Sequence, residues 1–166
     1  MEHLTQELDA AFSQTISLLN GMSQEALNTI PFTGSWTAAQ VARHIYKSQK
    51  GSDIMLLQPT EEPQRDPAER VPNYRGILLD FDHKLESPDF LIPEDKEYDK
   101  ADLIDALEKT RAEILPALDN ANLNETAPQP EQSPLYGSTK LEIVHFLLYH
   151  TQRHNRQIEK IKEVLN

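Results

Sequence analysis

Apolar residues recur every three or four positions in four long stretches of the chain, the spacing of helices that bury one face. In the first stretch Leu4, Leu8, Ala11, Phe12, Thr15, Ile16 and Leu19 fall on one side. They predict a helix from about Leu4 to Met22, closed by Gly21 and the "IPFTG" that follows. The second stretch opens at "SWTAAQV", where Thr37 and Gln40 have the spacing of a capping box and Trp36 and Val41 that of a hydrophobic staple. Its inner face would carry Val41, His44, Ile45, Ser48 and Met55, and the helix should reach about Leu57, before Pro59.

The third stretch, "ADLIDALEKTRAEILPALDNA", places Leu103, Leu107, Ile114 and Leu118 in a stripe, with Asp99 available as its cap. Pro116 should kink or loosen its last turn. The fourth starts at "STKLE", where Thr139 and Glu142 repeat the capping-box spacing, and continues to about Leu165. Along it Leu147, Thr151, His154, Ile158, Ile161 and Leu165 alternate steps of four and three, as a buried seam does.

Between the second and third helices, from about residue 58 to 98, the pattern breaks down, and six of the eleven prolines lie there. A short helix around "YRGILLDF" is the one regular element expected in this connection. A loop of that length in a compact domain usually serves a function or covers something. A second Pro-containing link, "APQPEQSPLYG", precedes the fourth helix. Four amphipathic helices with no strand pattern predict an all-α four-helix bundle. Its 166 residues suit a single domain over 1–166.

Charge and composition narrow the function. A net charge of -11 with no basic stripe repels phosphate backbones, which argues against a nucleic-acid partner. No apolar run is long enough to span a membrane, and the opening "MEHLTQELDAAF" lacks the apolar core of a secretory signal. The chain has no cysteine, so disulfides and thiolate metal sites are excluded and a cytoplasmic location is the default expectation.

The candidate chemistry lies in "YHTQRHNRQI", where His150 and His154 stand one helical turn apart on neighbouring positions of one face. Neutral imidazole is a common ligand for zinc and nickel, and an i, i+4 pair can present two nitrogens to one ion. With six histidines in the chain, that spacing also arises by chance, and a histidine in a seam is often a hydrogen-bonded core residue. The spacing alone leaves both readings open. His44 adds weight, because bundle sites are built from inward side chains on facing helices. His3 lies at the terminus, His83 in the long connection, and His145 points away from His150. Gln157, one turn after His154, could bond a ligand or a bound water. Arg153 and Arg156 could bind an acidic substrate or form surface ion pairs, for instance with Glu159, and Tyr46 and Tyr149 could line a pocket or pack in the core.

Two of these stretches carry a family resemblance. "WTAAQVARHI" resembles the W-S/T-x-x-Q/E-x-x-x-H-I/L start of the second helix in the DinB-like (DinB/YfiT) superfamily. "YHTQRHNRQIEKI" is similar to that family's fourth-helix pattern, H-x-x-R/H-H-x-x-Q-I, and "SPDFLIP" followed by "YDKADLIDAL" looks like many bacterial members. The resemblance covers nearly the whole chain. It implies up-down-down-up connections and a divalent ion, nickel or zinc, held by His44, His150 and His154. It also implies a homodimer acting on a small-molecule substrate, and thiol-dependent chemistry, since some branches are S-transferases or an isomerase using bacillithiol, mycothiol or glutathione. An ion on three neutral imidazoles keeps its full charge and would acidify a water or a thiol at an open position. A metal-dependent transferase or hydrolase is therefore the first expectation. A non-catalytic, metal-binding, stress-related module that dimerises is the second.

Overall fold

The computed structural model describes residues 2–165. The elements in chain order are α1 (Glu2–Asn20), α2 (Gln24–Asn28), α3 (Ala38–Gln49), α4 (Ser52–Leu57), α5 (Val71–Leu78), a 3-10 turn (Asp89–Leu91), α6 (Lys100–Asn120) and α7 (Lys140–Leu165). Among the described residues the only β pairing is an isolated bridge between Thr126 and Thr139. No described helix is long and apolar enough to cross a membrane.

The helix starts follow their caps. Thr37 accepts from the Gln40 amide while the Gln40 side chain accepts from the Thr37 amide, a complete capping box on α3. Thr139 and Glu142 make the same exchange at the start of α7. Asp99 caps α6, which runs on through Pro116 to Asn120. Three points differ from the sequence expectation. The long connection holds a second regular element beside α5, the 3-10 turn Asp89–Leu91. The second helix does not run unbroken to Leu57: Gly51 takes a left-handed conformation (φ 82°) and splits it into α3 and α4, a conformation that costs little only without a Cβ. After α1 the chain does not pass straight into a loop, because Ser23 caps the extra short helix α2.

Helix directions follow from which ends share a core. One apolar cluster joins Ile16 and Leu19 near the end of α1, Val41 and Ile45 early in α3, Leu103 and Leu107 early in α6, and Ile158 and Ile161 late in α7. A second joins Leu4 and Leu8 from the start of α1, Leu56 at the end of α4, Ile114 and Leu118 late in α6, and Val144 and Leu148 early in α7. The four long elements therefore run up, down, down and up. The second and third are parallel, so the chain between them must travel back along the bundle, which is why that connection is long. It does so against α7, with α5 packed on that helix.

A polar layer lies among these apolar residues. Thr15 donates to Asn155 Oδ1 at 2.6 Å, Asn155 donates to the Ala11 carbonyl at 2.9 Å, and Gln49 donates to Thr151 Oγ1 at 2.5 Å. Thr15, Gln49, Thr151 and Asn155 are all buried, so each bond replaces water that these groups have lost.

Candidate metal centre

His44 sits on the second turn of α3, and His150 and His154 sit on successive turns of α7. The seam that packs α3 on α7 turns all three imidazoles inward, leaving them 3 %, 7 % and 9 % exposed. His150 Nε2 lies 3.0 Å from His44 Nε2 and 3.1 Å from His154 Nε2. The three rings offer one nitrogen each, all within 4.8 Å of one another.

The other nitrogen of each ring is engaged. His44 Nδ1 donates to the Leu91 carbonyl at 2.9 Å, and His154 Nδ1 donates to Gln157 Oε1 at 2.8 Å. Ser48 spends its proton on the Ile45 carbonyl at 2.7 Å, so its oxygen is the acceptor for His150 Nδ1 at 3.4 Å. Assigning the protons from these partners places a hydrogen on every Nδ1 and a lone pair on every Nε2. The His150 lone pair meets those of His44 at 3.0 Å and His154 at 3.1 Å with no proton between them; the pairs repel one another, and a cation among the three nitrogens relieves that repulsion. Metal–nitrogen bonds of about 2.0–2.1 Å separate neighbouring ligand nitrogens by about 2.8–3.4 Å in octahedral or tetrahedral geometry, so the two separations at His150, 3.0 and 3.1 Å, suit an ion. The donor set fits a borderline metal such as zinc or nickel.

The surroundings keep the imidazoles neutral. Burial lowers His44; it drives His150 well below its ordinary value, with His154 adding to the effect; and it takes His154 down to about 3. Among the described residues no Asp or Glu joins the cluster, so the donor set carries no compensating negative charge. Aromatic rings close two sides. Trp36 lies 5.2 Å from His44 between ring centroids, and Phe146 stacks on His150 at 5.8 Å.

A model of the DinB superfamily matches residues 7–158, a span that includes all three histidines and the long connection. The chain belongs to the DinB superfamily. Among curated proteins and among solved structures, nothing matches it. The up-down-down-up bundle and the meeting of the three histidines agree with what the DinB resemblance implies.

The remaining sequence candidates separate. Gln157 is at the site, bonded to His154. Arg153 is turned to the connection instead, donating to the carbonyls of Leu78 at 3.1 Å, Asp80 at 2.7 Å and His83. It makes no pair with Glu159, which takes its bond from Gln14. Arg156 covers the Phe81 ring. Tyr46 lies under Arg43 and lines a separate cleft with Lys96, Tyr98 and Leu103. Tyr149 borders another cleft, with Val71, Arg75 and Leu79, also apart from the histidines. His83 is exposed and paired with Asp80, and His145 donates to its own helix at Leu141. The acceptors Leu91 and Ser48 had no assigned role from sequence. A backbone carbonyl leaves no trace in residue identity, and Ser48 was readable only as an inward position.

Proposed function

We propose that the protein is a divalent-metal-dependent enzyme that acts on a small molecule, with His44, His150 and His154 as ligands and nickel or zinc as the ion. The observation that supports this reading is the convergence of three Nε2 lone pairs, each oriented by a bond at the opposite nitrogen. When bound, the ion would act as a Lewis acid that acidifies a thiol or water reaching its open positions. The protein's own residues hold the imidazoles neutral by burial, fix their orientation through Leu91, Ser48 and Gln157, and restrict water with Trp36 and Phe146. Within this reading a low-molecular-weight thiol is the co-substrate, the reaction is S-transfer or hydrolysis, and the protein works as a homodimer in the cytoplasm.

A second reading has its own support. The imidazoles are so little exposed that a cation among them would have narrow access, as expected of a non-catalytic module. Cobalt(II) substitution in protein made without a histidine tag separates the two. A visible spectrum that changes on titration with a small thiol supports the enzyme, and one that ignores the thiol supports the module. If neither cobalt nor zinc binds in the micromolar range or tighter, both readings fall.

A further inference from the structure

The carbonyl that orients His44 belongs to the last few residues of the long connection, and the way those residues are fastened points to a group outside the imidazole cluster. Pro93 holds Ile92 extended (φ -61°, ψ 126°), which ends the 3-10 turn at Leu91. The Leu91 carbonyl is thereby left to accept from His44 Nδ1 at 2.9 Å. Two residues past Ile92, the Glu94 carboxylate gathers three donors. Arg43 reaches it through Nε at 3.1 Å and Nη2 at 3.4 Å, Lys47 Nζ lies at 3.5 Å, and the Tyr98 hydroxyl donates at 2.7 Å. Lys47 Nζ also donates to the Ile92 carbonyl at 2.7 Å. Arg43 and Lys47 flank His44 on α3, so the helix that carries the imidazole also carries the cations that hold its acceptor. Tyr98 is fixed in turn by α2, through bonds from Asn28 and Gln24 to its carbonyl and from its amide to Asn28 Oδ1.

We propose that Glu94 is a positioning residue for His44: by drawing Arg43, Lys47 and Tyr98 together it holds the Leu91 carbonyl where it selects the tautomer that turns His44 Nε2 toward His150 and His154. The Arg43 and Tyr98 bonds keep the Glu94 carboxyl far below the usual carboxylate range, so it is ionised and acts only as an acceptor. Each contact taken singly is a partly exposed ion pair of small worth. Their convergence on one carboxylate makes the geometry specific. The inference rests on the metal-site reading for its consequence, while the tautomer itself is readable without metal.

Glu94→Ala with ¹⁵N-labelled histidine tests it. In long-range proton–nitrogen spectra of the metal-free protein at pH 7.5, wild-type His44 is expected as the Nδ1–H form. The variant is expected to show a measurable Nε2–H fraction, zinc binding about tenfold weaker, and His154 still in its Nδ1–H form. Lys47→Met, which spares the Arg43–Glu94 pair, should move His44 in the same direction by less. The charge-reversed double variant Arg43→Glu/Glu94→Arg regains the pair between positions 43 and 94 but sets an arginine beside Lys47 and leaves the Tyr98 hydroxyl without its carboxylate acceptor, so it should recover the wild-type spectrum only in part. If Glu94→Ala fails to fold, the Lys47→Met spectrum decides alone. His44 unchanged in Glu94→Ala or, failing that, in Lys47→Met, or a wild-type His44 in the Nε2–H form, overturns the proposal. A tautomer shift without zinc binding in any form would sustain the positioning role and defeat the metal reading instead.

Discussion

His154 donates its Nδ1 proton to the side-chain oxygen of Gln157, 2.8 Å away and one turn further along α7. That bond leaves Nε2 as the lone-pair nitrogen, and Nε2 is the atom facing His150. Oriented imidazole ligands commonly owe their direction to such a partner, and losing it typically weakens metal binding about 10–100-fold. Gln157→Leu is therefore expected to weaken zinc binding at the low end of that range, about tenfold. Gln157→Glu keeps an acceptor in place and should bind zinc at least as well as the wild type. Competition with a chromophoric chelator at fixed pH reads both constants, and equal constants for Gln157→Leu and wild type would count against the bond as a metal-tuning contact.

The lowered imidazoles set a pH window for stability. An unfolded histidine takes up a proton near pH 6.5, whereas His154 in the folded chain resists protonation to about pH 3, and His44 and His150 are lowered in the same sense. Between those values the unfolded state binds more protons, so stability of the metal-free protein falls as pH drops below 6.5, by up to about 1.4 kcal/mol per pH unit for each such group. The hydrogen-bonded carboxylates Glu94 and Glu142 are also lowered, but their loss begins only near the ordinary carboxylate range, around pH 4.5. Urea midpoints for the metal-free protein are expected to be flat from pH 8 to 7 and to fall steadily from 6.5 to 5. A curve flat down to pH 5 would mean that the three histidines are solvated.

Gly51 marks where the helical period in the sequence overstated the structure. Its φ of 82° divides the second helix, and a Cβ built there meets nothing within 4 Å. The cost of Gly51→Ala is therefore backbone strain alone, about 1–2 kcal/mol, or about 2–8 °C in Tm for a chain of this size. Calorimetry should show that decrease with zinc affinity unchanged. An increase in Tm would show a position that prefers unbroken helix.

The elements that could be read from the sequence share one physical basis. Thr37 with Gln40 and Thr139 with Glu142 interact within one helical turn, so spacing alone predicts the contact. The seam holding His154 between Thr151 and Ile158 is likewise a local repeat, and it carries the inward direction of the imidazole with it. The meeting of His44 with His150 spans 106 positions. Periodicity placed each on a buried face but could not set the register between α3 and α7. Arg153 shows the opposite limit. A guanidinium seeks acceptors, and from sequence alone a substrate or a carboxylate was as good a partner as the backbone of residues 78–83, which returns over α7 only because the connection runs back along the bundle.

Glu142 shows how much of that connection depends on one side chain. Its carboxylate, fully buried, takes both Nη atoms of Arg65 at 2.7 Å, the Arg70 amide at 2.8 Å and the Thr139 amide at 2.9 Å. Burial opposes its ionisation, yet Arg65 and the two amides hold its carboxyl below the ordinary value. Two magnitudes compete for the effect of Glu142→Gln. If the residue mattered only as the capping-box partner of Thr139, the loss would be close to zero, because Gln fills the same place in the box that opens α3. If Arg65 is left without its buried counter-charge and the connection loosens with it, the loss should be roughly 3–5 kcal/mol, a drop of about 6–20 °C in Tm. The four converging donors favour the larger figure. Calorimetry gives the size, and hydrogen exchange gives the place: faster exchange is expected at the Arg70 and Tyr74 amides, with the α1 and α6 amides little changed. A loss close to zero, with exchange at the Arg70 and Tyr74 amides unchanged, would reduce Glu142 to a cap.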